Sequence, residues 1–230
     1  MVSKNLSIII PIYNEERIAA SSLPAIFSLP IDKEIIIVND GSTDGTEEIL
    51  ANLTKQYEFK LINQPTNRGK GEAIKHGLTE IAGEYFVVCD ADAEYDPKNI
   101  IDLLAAIKKE PANKKIAYYG SRFLNHKPLS FHYLVNLFLT ALTNILFSSR
   151  LTDMETCFKL IPARALEEIR LTGGRFEIEP EITAQLLKAG YQIKELPISY
   201  ARRGYNEGKK IKARDGLLAI KTLIKEKLFN

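Results

Sequence analysis

Uniformly apolar runs alternate in the first half of the chain with mixed segments that we interpret as helices. The runs over residues 6–12, 34–38, 59–62 and 85–89 are rich in hydrophobic side chains. Such continuous hydrophobicity is typical of parallel strands that are covered on both faces. Their alternation with helices predicts an α/β fold with a mostly parallel, doubly wound sheet and helices on both faces.

The second half of the sequence is less regular. We predict helices from Pro97 to before Pro111 and over 129–149, 179–189 and 213–229, with strands over 116–120 and 192–196. Proline suits the first position of a helix, where its missing N–H would have no partner. No repeat or linker divides the sequence, so residues 1–230 are predicted to form a single domain.

The predicted helix over 129–149 has an unusual surface. Residues 128–149 include no formally charged side chain, but His132, Asn136, Thr140 and Asn144 recur at every fourth position. They form one polar stripe on an otherwise apolar helix, which argues against a helix that spans a membrane. Two interpretations remain: a helix packed in the core, or a helix that lies at a membrane surface.

Composition and charge narrow the class of protein. The 230 residues are 45% hydrophobic and carry a formal net charge of +2. A general nucleic-acid-binding protein usually has a marked basic excess, so we expect no nucleic-acid partner. Neither Cys89 nor Cys157 shows metal-ligand spacing, which favours buried thiols in a reducing compartment. The N-terminus lacks the apolar region of a secretory signal, and we expect a cytoplasmic protein.

Basic residues concentrate just before the amphipathic helix predicted over 213–229. They are Arg202, Arg203, Lys209, Lys210, Lys212 and Arg214. Solvated surface charge is the ordinary explanation for such a run. Cations beside an amphipathic helix also attract anionic lipid headgroups, by about 1 kcal/mol each. We therefore predict peripheral contact with a membrane.

Candidate binding residues lie at the ends of three of the predicted strands, at the edge where α/β sheets bind ligands. They are Pro11, Tyr13 and Glu15 after the first strand, Asp40 after the second, and Asp90 and Asp92 after the fourth. Residues two apart in an extended segment point the same way, so the last two carboxylates can converge. Two such oxygen ligands suit Mg²⁺ or Mn²⁺, which bind a substrate phosphate as well.

Residues 67–71 open a helix with the sequence Asn-Arg-Gly-Lys-Gly. Backbone amides at a helix N-terminus and the cation of Lys70 would suit a diphosphate. The segment is not a Walker A loop, because the upstream glycine and the hydroxyl residue after the lysine are absent. No Gly-x-Gly-x-x-Gly follows the first strand, which disfavours a dinucleotide oxidoreductase.

The motifs IIIPIYNEE, VNDGSTDGT, NRGKGEAIKHG, VVCDADAEYDP and GSR resemble, in order, those of family-2 inverting glycosyltransferases with the GT-A fold. The later segments DMETCFKL, RFEIEPEITAQLLKAGY and ELPISYARRGYNEGKKI are similar to the polyprenyl-phosphate hexose synthases, the dolichol-phosphate mannose synthase branch. The resemblance covers nearly the whole chain. It implies hexose transfer from a UDP- or GDP-sugar to undecaprenyl or dolichyl phosphate, with Mg²⁺ or Mn²⁺.

The resemblance also implies a role for particular residues. Nucleotide-sugar contacts fall on Pro11, Tyr13, Glu15, Asp40, Lys70, Asp90 and Ala91. The metal ligands fall on Asp90 and Asp92, with Glu94 as a further ligand. Arg122 matches an arginine near the acceptor phosphate, and Arg203 matches an arginine in a loop that closes over the diphosphate. Asp153 and Glu155 match positions where relatives carry an acidic residue beside the acceptor.

The expected mechanism follows from charge. The metal held by Asp90 and Asp92, together with Arg203 and Lys70, would stabilise the leaving nucleoside diphosphate. A phosphate acceptor, with a second pKa of about 6, is already ionised and needs no general base. A hydroxyl acceptor would need one, and Asp153 or Glu155 would be the candidate. The structural alternative for both is a helix cap or a salt-bridge partner.

Two other functions stay open beside transfer to a polyprenyl phosphate. One is transfer to a glycan hydroxyl in polysaccharide synthesis. The other is a non-catalytic partner that binds a nucleotide sugar and recruits a membrane complex. Since no membrane-spanning segment is predicted up to Asn230, we expect the cytoplasmic face of the membrane to be reached by surface binding or through a membrane-protein partner.

Overall fold

The computed structural model describes residues 5–125, 128, 130–201 and 213–229, except for the side chains of residues 131 and 213. Its strands are β1 Leu6–Ile12, β2 Lys33–Asn39, β3 Lys60–Asn63, β4 Tyr85–Val88, β5 Ile116–Ser121, β6 Lys159–Pro162 and β7 Gln192–Pro197. Its helices are α1 Ala19–Phe27, α2 Thr46–Leu53, α3 Lys70–Leu78, α4 Asn99–Ile107, α5 Phe131–Phe147, α6 Ile178–Lys188 and α7 Ala213–Phe229, with a short 3-10 helix at Ala163–Glu167.

The strands form one seven-stranded sheet in the order β3-β2-β1-β4-β6-β5-β7. Within the described residues, β6 alone runs antiparallel to its neighbours β4 and β5, and the remaining pairs are parallel. The prediction of a mostly parallel sheet is confirmed. Strand β6 was not predicted from the sequence, and it joins the β1–β4 half of the sheet to β5 and β7.

Helices cover both faces of this sheet, as predicted. Along β2, Ile35 and Ile37 belong to the main core cluster, which also contains buried residues of α1 and α2. The alternate residues Ile36 and Val38 pack with Ala73 of α3. Because successive side chains of a strand point to opposite faces, α3 lies across the sheet from α1 and α2. The carboxyl ends of β1, β2 and β4 are thereby held between two helical layers.

Helix α5 turns its polar stripe and the apolar side chain of Leu139 towards the protein and exposes other apolar side chains to solvent. Asn136 and Thr140 of its polar stripe are buried, whereas Leu137, Phe138 and Ile145 are 45%, 58% and 78% exposed. The helix packs against α6 and α7 around a second, smaller hydrophobic cluster. Neither α5 nor any other helix in the described ranges is both long and hydrophobic enough to cross a bilayer.

Candidate active site

The Asp90-Ala91-Asp92 turn directly follows β4 and is fastened from two sides. Ser22 of α1 donates its hydroxyl to the Ala91 carbonyl at 2.7 Å. Asp92 Oδ1 accepts the Glu94 N–H at 3.0 Å, across a left-handed residue, Ala93, with φ of 58°. These contacts hold the backbone that carries the two predicted carboxylates at the carboxyl edge of the sheet.

Lys70, the first residue of α3, reaches this turn. Its Nζ lies 2.9 Å from Asp90 Oδ2 and 3.2 Å from Glu179 Oε1. Burial lowers the pKa of Lys70, but the charge of Asp90, with smaller contributions from Cys157 and Glu179, raises it well above its ordinary value. The side chain is therefore a cation at neutral pH beside Asp90.

Asp40 is buried, and its carboxylate accepts hydrogen bonds from the turn that precedes α3. It accepts the Arg68 and Gly69 N–H groups at 2.7 and 2.8 Å and the Asn67 amide at 3.0 Å. Gly41 is left-handed with φ of 64°, and a Cβ there would lie 2.4 Å from the Thr66 carbonyl carbon. Asp40 therefore shapes the N-terminus of α3, a structural task that the sequence analysis did not anticipate beside its predicted nucleotide contact.

The end of β1 lies against the start of α2. Pro11, Tyr13 and Glu15 are all partly exposed there. The Glu15 N–H donates to Thr46 Oγ1 at 2.9 Å. Pro11 lies on β1, and Tyr13 and Glu15 follow it. Since β1 is the neighbour of β4 in the sheet, these three residues lie at the strand end beside the Asp90 turn.

Arg122 and Asp153 form a buried ion pair. The Arg122 Nε and Nη2 groups donate to the two Asp153 oxygens at 2.7 Å each, and the Arg122 main-chain N–H donates at 3.0 Å. Asn136 of α5 donates a further bond at 3.0 Å, and Asp153 is fully buried. A general base needs access to the acceptor, and the fully buried Asp153 carboxylate has none. Of the alternatives left open for Asp153, its contacts are those of a salt-bridge partner.

Aromatic rings surround the guanidinium of Arg122. Its central carbon lies 5.9 Å from the ring centre of Tyr95, 5.1 Å from that of Phe123 and 5.3 Å from that of Tyr200. The Arg122 side chain is 14% exposed. Asp153 is itself held by Glu195, which accepts its main-chain N–H at 3.0 Å. Arg122 is thus fixed in orientation while part of it still reaches the surface.

Glu155 is the acidic side chain in this region that titrates near neutrality. Burial raises its pKa to about 7, with the Glu179 and Asp153 carboxylates adding to the shift and Lys159 and Arg122 opposing it. Its Oε1 is enclosed and makes no hydrogen bond within the part of the chain described. A carboxyl group in this state can exchange a proton at physiological pH.

Glu94 does not join Asp90 and Asp92 in a three-carboxylate metal site. Its Oε2 accepts the Tyr200 hydroxyl at 2.6 Å, and its carbonyl accepts the Ala201 N–H at 2.7 Å. Among the residues with described placement, no three Asp, Glu, His or Cys side chains are arranged to hold a metal ion. The pair that remains fits Mg²⁺ or Mn²⁺, which need one or two protein carboxylates when a substrate phosphate supplies the rest.

Three groups near the site were missed from the sequence, and one predicted group cannot be placed. Glu179 and Lys159 form a buried ion pair next to Lys70, and Tyr200 contacts both Glu94 and Arg122. A lysine inside the apolar run Phe-Lys-Leu-Ile was the available signal for a buried pair. Arg203 and its basic neighbours over 202–212 lie outside the described residues.

Comparisons with known proteins agree with this architecture. The model of the family described as Glycosyl transferase family 2 matches residues 7–170. A dolichyl-phosphate beta-glucosyltransferase of Trichomonas vaginalis is 30% identical over 242 residues, covering 98% of this chain and 73% of that protein. A poly-beta-1,6-N-acetyl-D-glucosamine synthase of Staphylococcus epidermidis is 35% identical over 109 residues, which are 47% of this chain and 26% of the synthase.

Solved structures share the fold at low sequence identity. Glucosyl-3-phosphoglycerate synthase of Mycobacterium tuberculosis, in complex with Mn²⁺, UDP and phosphoglyceric acid, superposes with a TM-score of 0.72 at 16% identity, covering 99% of this chain and 80% of that one. The same enzyme with Mn²⁺, UDP-glucose and glycerol 3-phosphate gives a TM-score of 0.70 at 18% identity, with 97% and 80% covered. The predicted GT-A fold is confirmed.

Proposed function

Because the chain belongs to glycosyl transferase family 2, we propose that it moves a hexose from a nucleotide diphosphate sugar to a polyprenyl phosphate, with inversion. The similarity to a dolichyl-phosphate beta-glucosyltransferase over most of the chain supports this acceptor. The observation that carries the proposal is the arrangement of two charged centres at one sheet edge. Asp90 with Lys70 forms the first, and Arg122 with Asp153 forms the second.

The donor binds, in this proposal, at the ends of β1, β2 and β4. Pro11, Tyr13, Glu15, Asp40 and Ala91 line its nucleotide side. Asp90 and Asp92 hold Mg²⁺ or Mn²⁺, which supplies Lewis-acid stabilisation of the diphosphate when bound. The mycobacterial structures that contain Mn²⁺ and UDP support a divalent metal without choosing between the two ions. Lys70 adds its charge to the leaving nucleoside diphosphate from the α3 side.

The acceptor phosphate binds at Arg122. A guanidinium matches phosphate oxygens geometrically, and the two hydrogen bonds to Asp153 fix its plane before the acceptor arrives. An ionised phosphate oxygen attacks the anomeric carbon from the face opposite the diphosphate and inverts it. No protein base takes part, since this oxygen carries its charge at neutral pH. Arg203 would add a cation from the basic stretch.

Peripheral contact with the cytoplasmic face of the membrane brings the enzyme to its lipid. Helix α7, which packs against α5, also exposes apolar side chains, with Leu217 and Leu228 70% and 67% exposed. Exposed cations on α7, among them Lys221 and Lys225, suit anionic headgroups. Asn136 and Thr140 of the polar stripe of α5 make hydrogen bonds inside the protein. The exposed apolar face of α5 is therefore the surface that can contact a membrane. A membrane-protein partner is the alternative anchor.

One observation favours a second function, transfer to a glycan hydroxyl. Glu155 is half-buried, unlike the fully buried Asp153, and its pKa of about 7 suits the general base that such an acceptor needs. The partial match to a poly-beta-1,6-N-acetyl-D-glucosamine synthase points the same way, although it covers less than half of this chain. A base-dependent limb in the pH-rate profile that disappears in Glu155→Gln would support this second function.

The test is transfer of radiolabel from UDP-glucose, UDP-N-acetylglucosamine and GDP-mannose to undecaprenyl phosphate, with Mg²⁺ or Mn²⁺. We expect one donor to give metal-dependent, butanol-extractable label, and Asp92→Asn to abolish it. Asp102→Asn, an exposed acid on α4, is the matched control and should retain transfer. Turnover of a donor without lipid labelling would overturn the proposed acceptor. Nucleotide binding that the metal does not improve, without turnover, would favour the non-catalytic alternative.

A further inference from the structure

Lys70 is shared between two carboxylates, and only one of them belongs to the proposed donor site. Its Nζ is 2.9 Å from Asp90 Oδ2 and 3.2 Å from Glu179 Oε1. The Lys70 side chain is 14% exposed and that of Glu179 is 7% exposed. Glu179 therefore approaches Lys70 from inside the protein, while Asp90 approaches it from the sheet edge.

Glu179 is anchored independently of Lys70. Its second oxygen, Oε2, contacts the Nζ of Lys159 on β6, a side chain that is almost fully buried. Lys159 in turn lies over the ring of Tyr119 at 5.4 Å from the ring centre. Two ammonium groups and two carboxylates thus form a buried, electrically balanced row from Lys159 through Glu179 and Lys70 to Asp90.

The backbone around Lys70 is also held by the loop that precedes α6. Added Cβ atoms at Gly69 and Gly71 would lie 2.4 and 2.5 Å from the carbonyl oxygens of Gly174 and Gly173. Glu181 of α6 accepts the Gly173 N–H at 2.8 Å and so fixes that loop. This close packing restrains the start of α3, so Lys70 can shift between the two carboxylates chiefly by rotation of its side chain.

We propose that Glu179 is a positioning residue that acts through Lys70 to keep Asp90 available to a divalent cation. This inference rests on the proposed function, in which Asp90 faces the metal and the diphosphate. A cation at Asp90 repels the Lys70 ammonium, which can remain paired because Glu179 lies 3.2 Å away. Without the charge of Glu179, Lys70 would keep its pairing to Asp90 and compete with the incoming cation.

Mn²⁺-dependent binding of UDP, measured by calorimetry without acceptor, tests this role apart from turnover. We expect Glu179→Gln to weaken the apparent Mn²⁺ affinity at saturating UDP by about tenfold, within the range of couplings between contacting groups. In a Lys70→Met background, where no ammonium competes, the same change should have no effect. A merely structural role would give the same loss in both backgrounds.

Folding of the variant is controlled separately. Glu179→Gln leaves Lys159 without its carboxylate, so Glu179→Gln with Lys159→Met removes both buried charges. We expect this double variant to recover the melting temperature but not the Mn²⁺ affinity. Unchanged Mn²⁺ affinity in Glu179→Gln, or recovery in the double variant, would overturn the inference alone. Absence of Mn²⁺-dependent UDP binding in the unaltered protein would overturn the proposed function as well.

Discussion

Replacement of Asp153 by asparagine distinguishes the ion-pair role from that of a general base. The fully buried carboxylate accepts two guanidinium bonds and one main-chain bond from Arg122, together with an amide bond from Asn136. Removing one charge of a buried pair costs about 3–5 kcal/mol, because the remaining charge stays desolvated. Because asparagine keeps one acceptor oxygen, we expect Asp153→Asn to lower the free energy of unfolding by about 3 kcal/mol, the lower end of this range. In a domain of this size that lowers Tm by about 6–12 °C.

Thermal unfolding followed by circular dichroism measures this effect, with lipid transfer assayed below the transition. We expect Asp153→Asn to lose both stability and lipid transfer. The double variant Arg122→Met with Asp153→Leu removes both charges and should recover much of the stability while transfer stays lost. If Asp153→Asn keeps the wild-type Tm and loses only the low-pH limb of the pH-rate profile, where a general base would be protonated, Asp153 is a base and the ion-pair account is wrong.

Three further predictions concern other parts of the molecule. The pKa of Glu155 is raised from 4.5 to about 7, so between these pH values the folded state binds more protons than the unfolded state. The stability of the protein therefore falls as pH rises through this range. Glu155→Gln should flatten the dependence of Tm on pH between 5 and 8. Phe138→Glu on the exposed face of α5 should reduce sedimentation with anionic vesicles several-fold without changing UDP binding, whereas Ala51→Glu on α2 should change neither. Gly69→Ala should weaken UDP binding and lower the free energy of unfolding, measured by denaturant titration, by about 1–3 kcal/mol. The reason is that Gly69 has φ of 102° and that a Cβ added there would clash with the Gly174 carbonyl oxygen. Wild-type stability and UDP binding in this variant would contradict the described packing of α3.

The sheet could be predicted where its strands are apolar and parallel. Strands β1, β2 and β4 appear within one or two residues of their predicted bounds. Strand β6 was missed because four residues, one of them Lys159, carry no recognisable period. The charge of Lys159 is tolerated because Glu179, twenty positions later, pairs with it inside the fold. Long-range pairing of this kind leaves no signal in a local sequence pattern.

The candidate site could be predicted in its placement but less well in its contacts. Asp90 and Lys70 come together because both end up at the carboxyl edge of the sheet. Glu94 was assigned to the metal by the family resemblance, and in the structure its carboxylate accepts the hydroxyl of Tyr200 from the far end of the chain. The polar stripe of α5 was recognised from the sequence, but whether it faces the protein or the solvent could not be predicted. In the structure it faces the protein because Asn136, Thr140 and Asn144 hydrogen-bond the loop at 149–154.

The most direct test of the account is the chemical structure of the product formed from the accepted donor and undecaprenyl phosphate. Phosphorus and proton NMR of the purified lipid would identify both the atom that is glycosylated and the anomeric configuration. We predict a phosphodiester that joins the hexose C1 to the polyprenyl phosphate, in the β configuration when the donor sugar is α. A hexose linked to a glycan hydroxyl, or an α-linked lipid phosphate, would contradict the account.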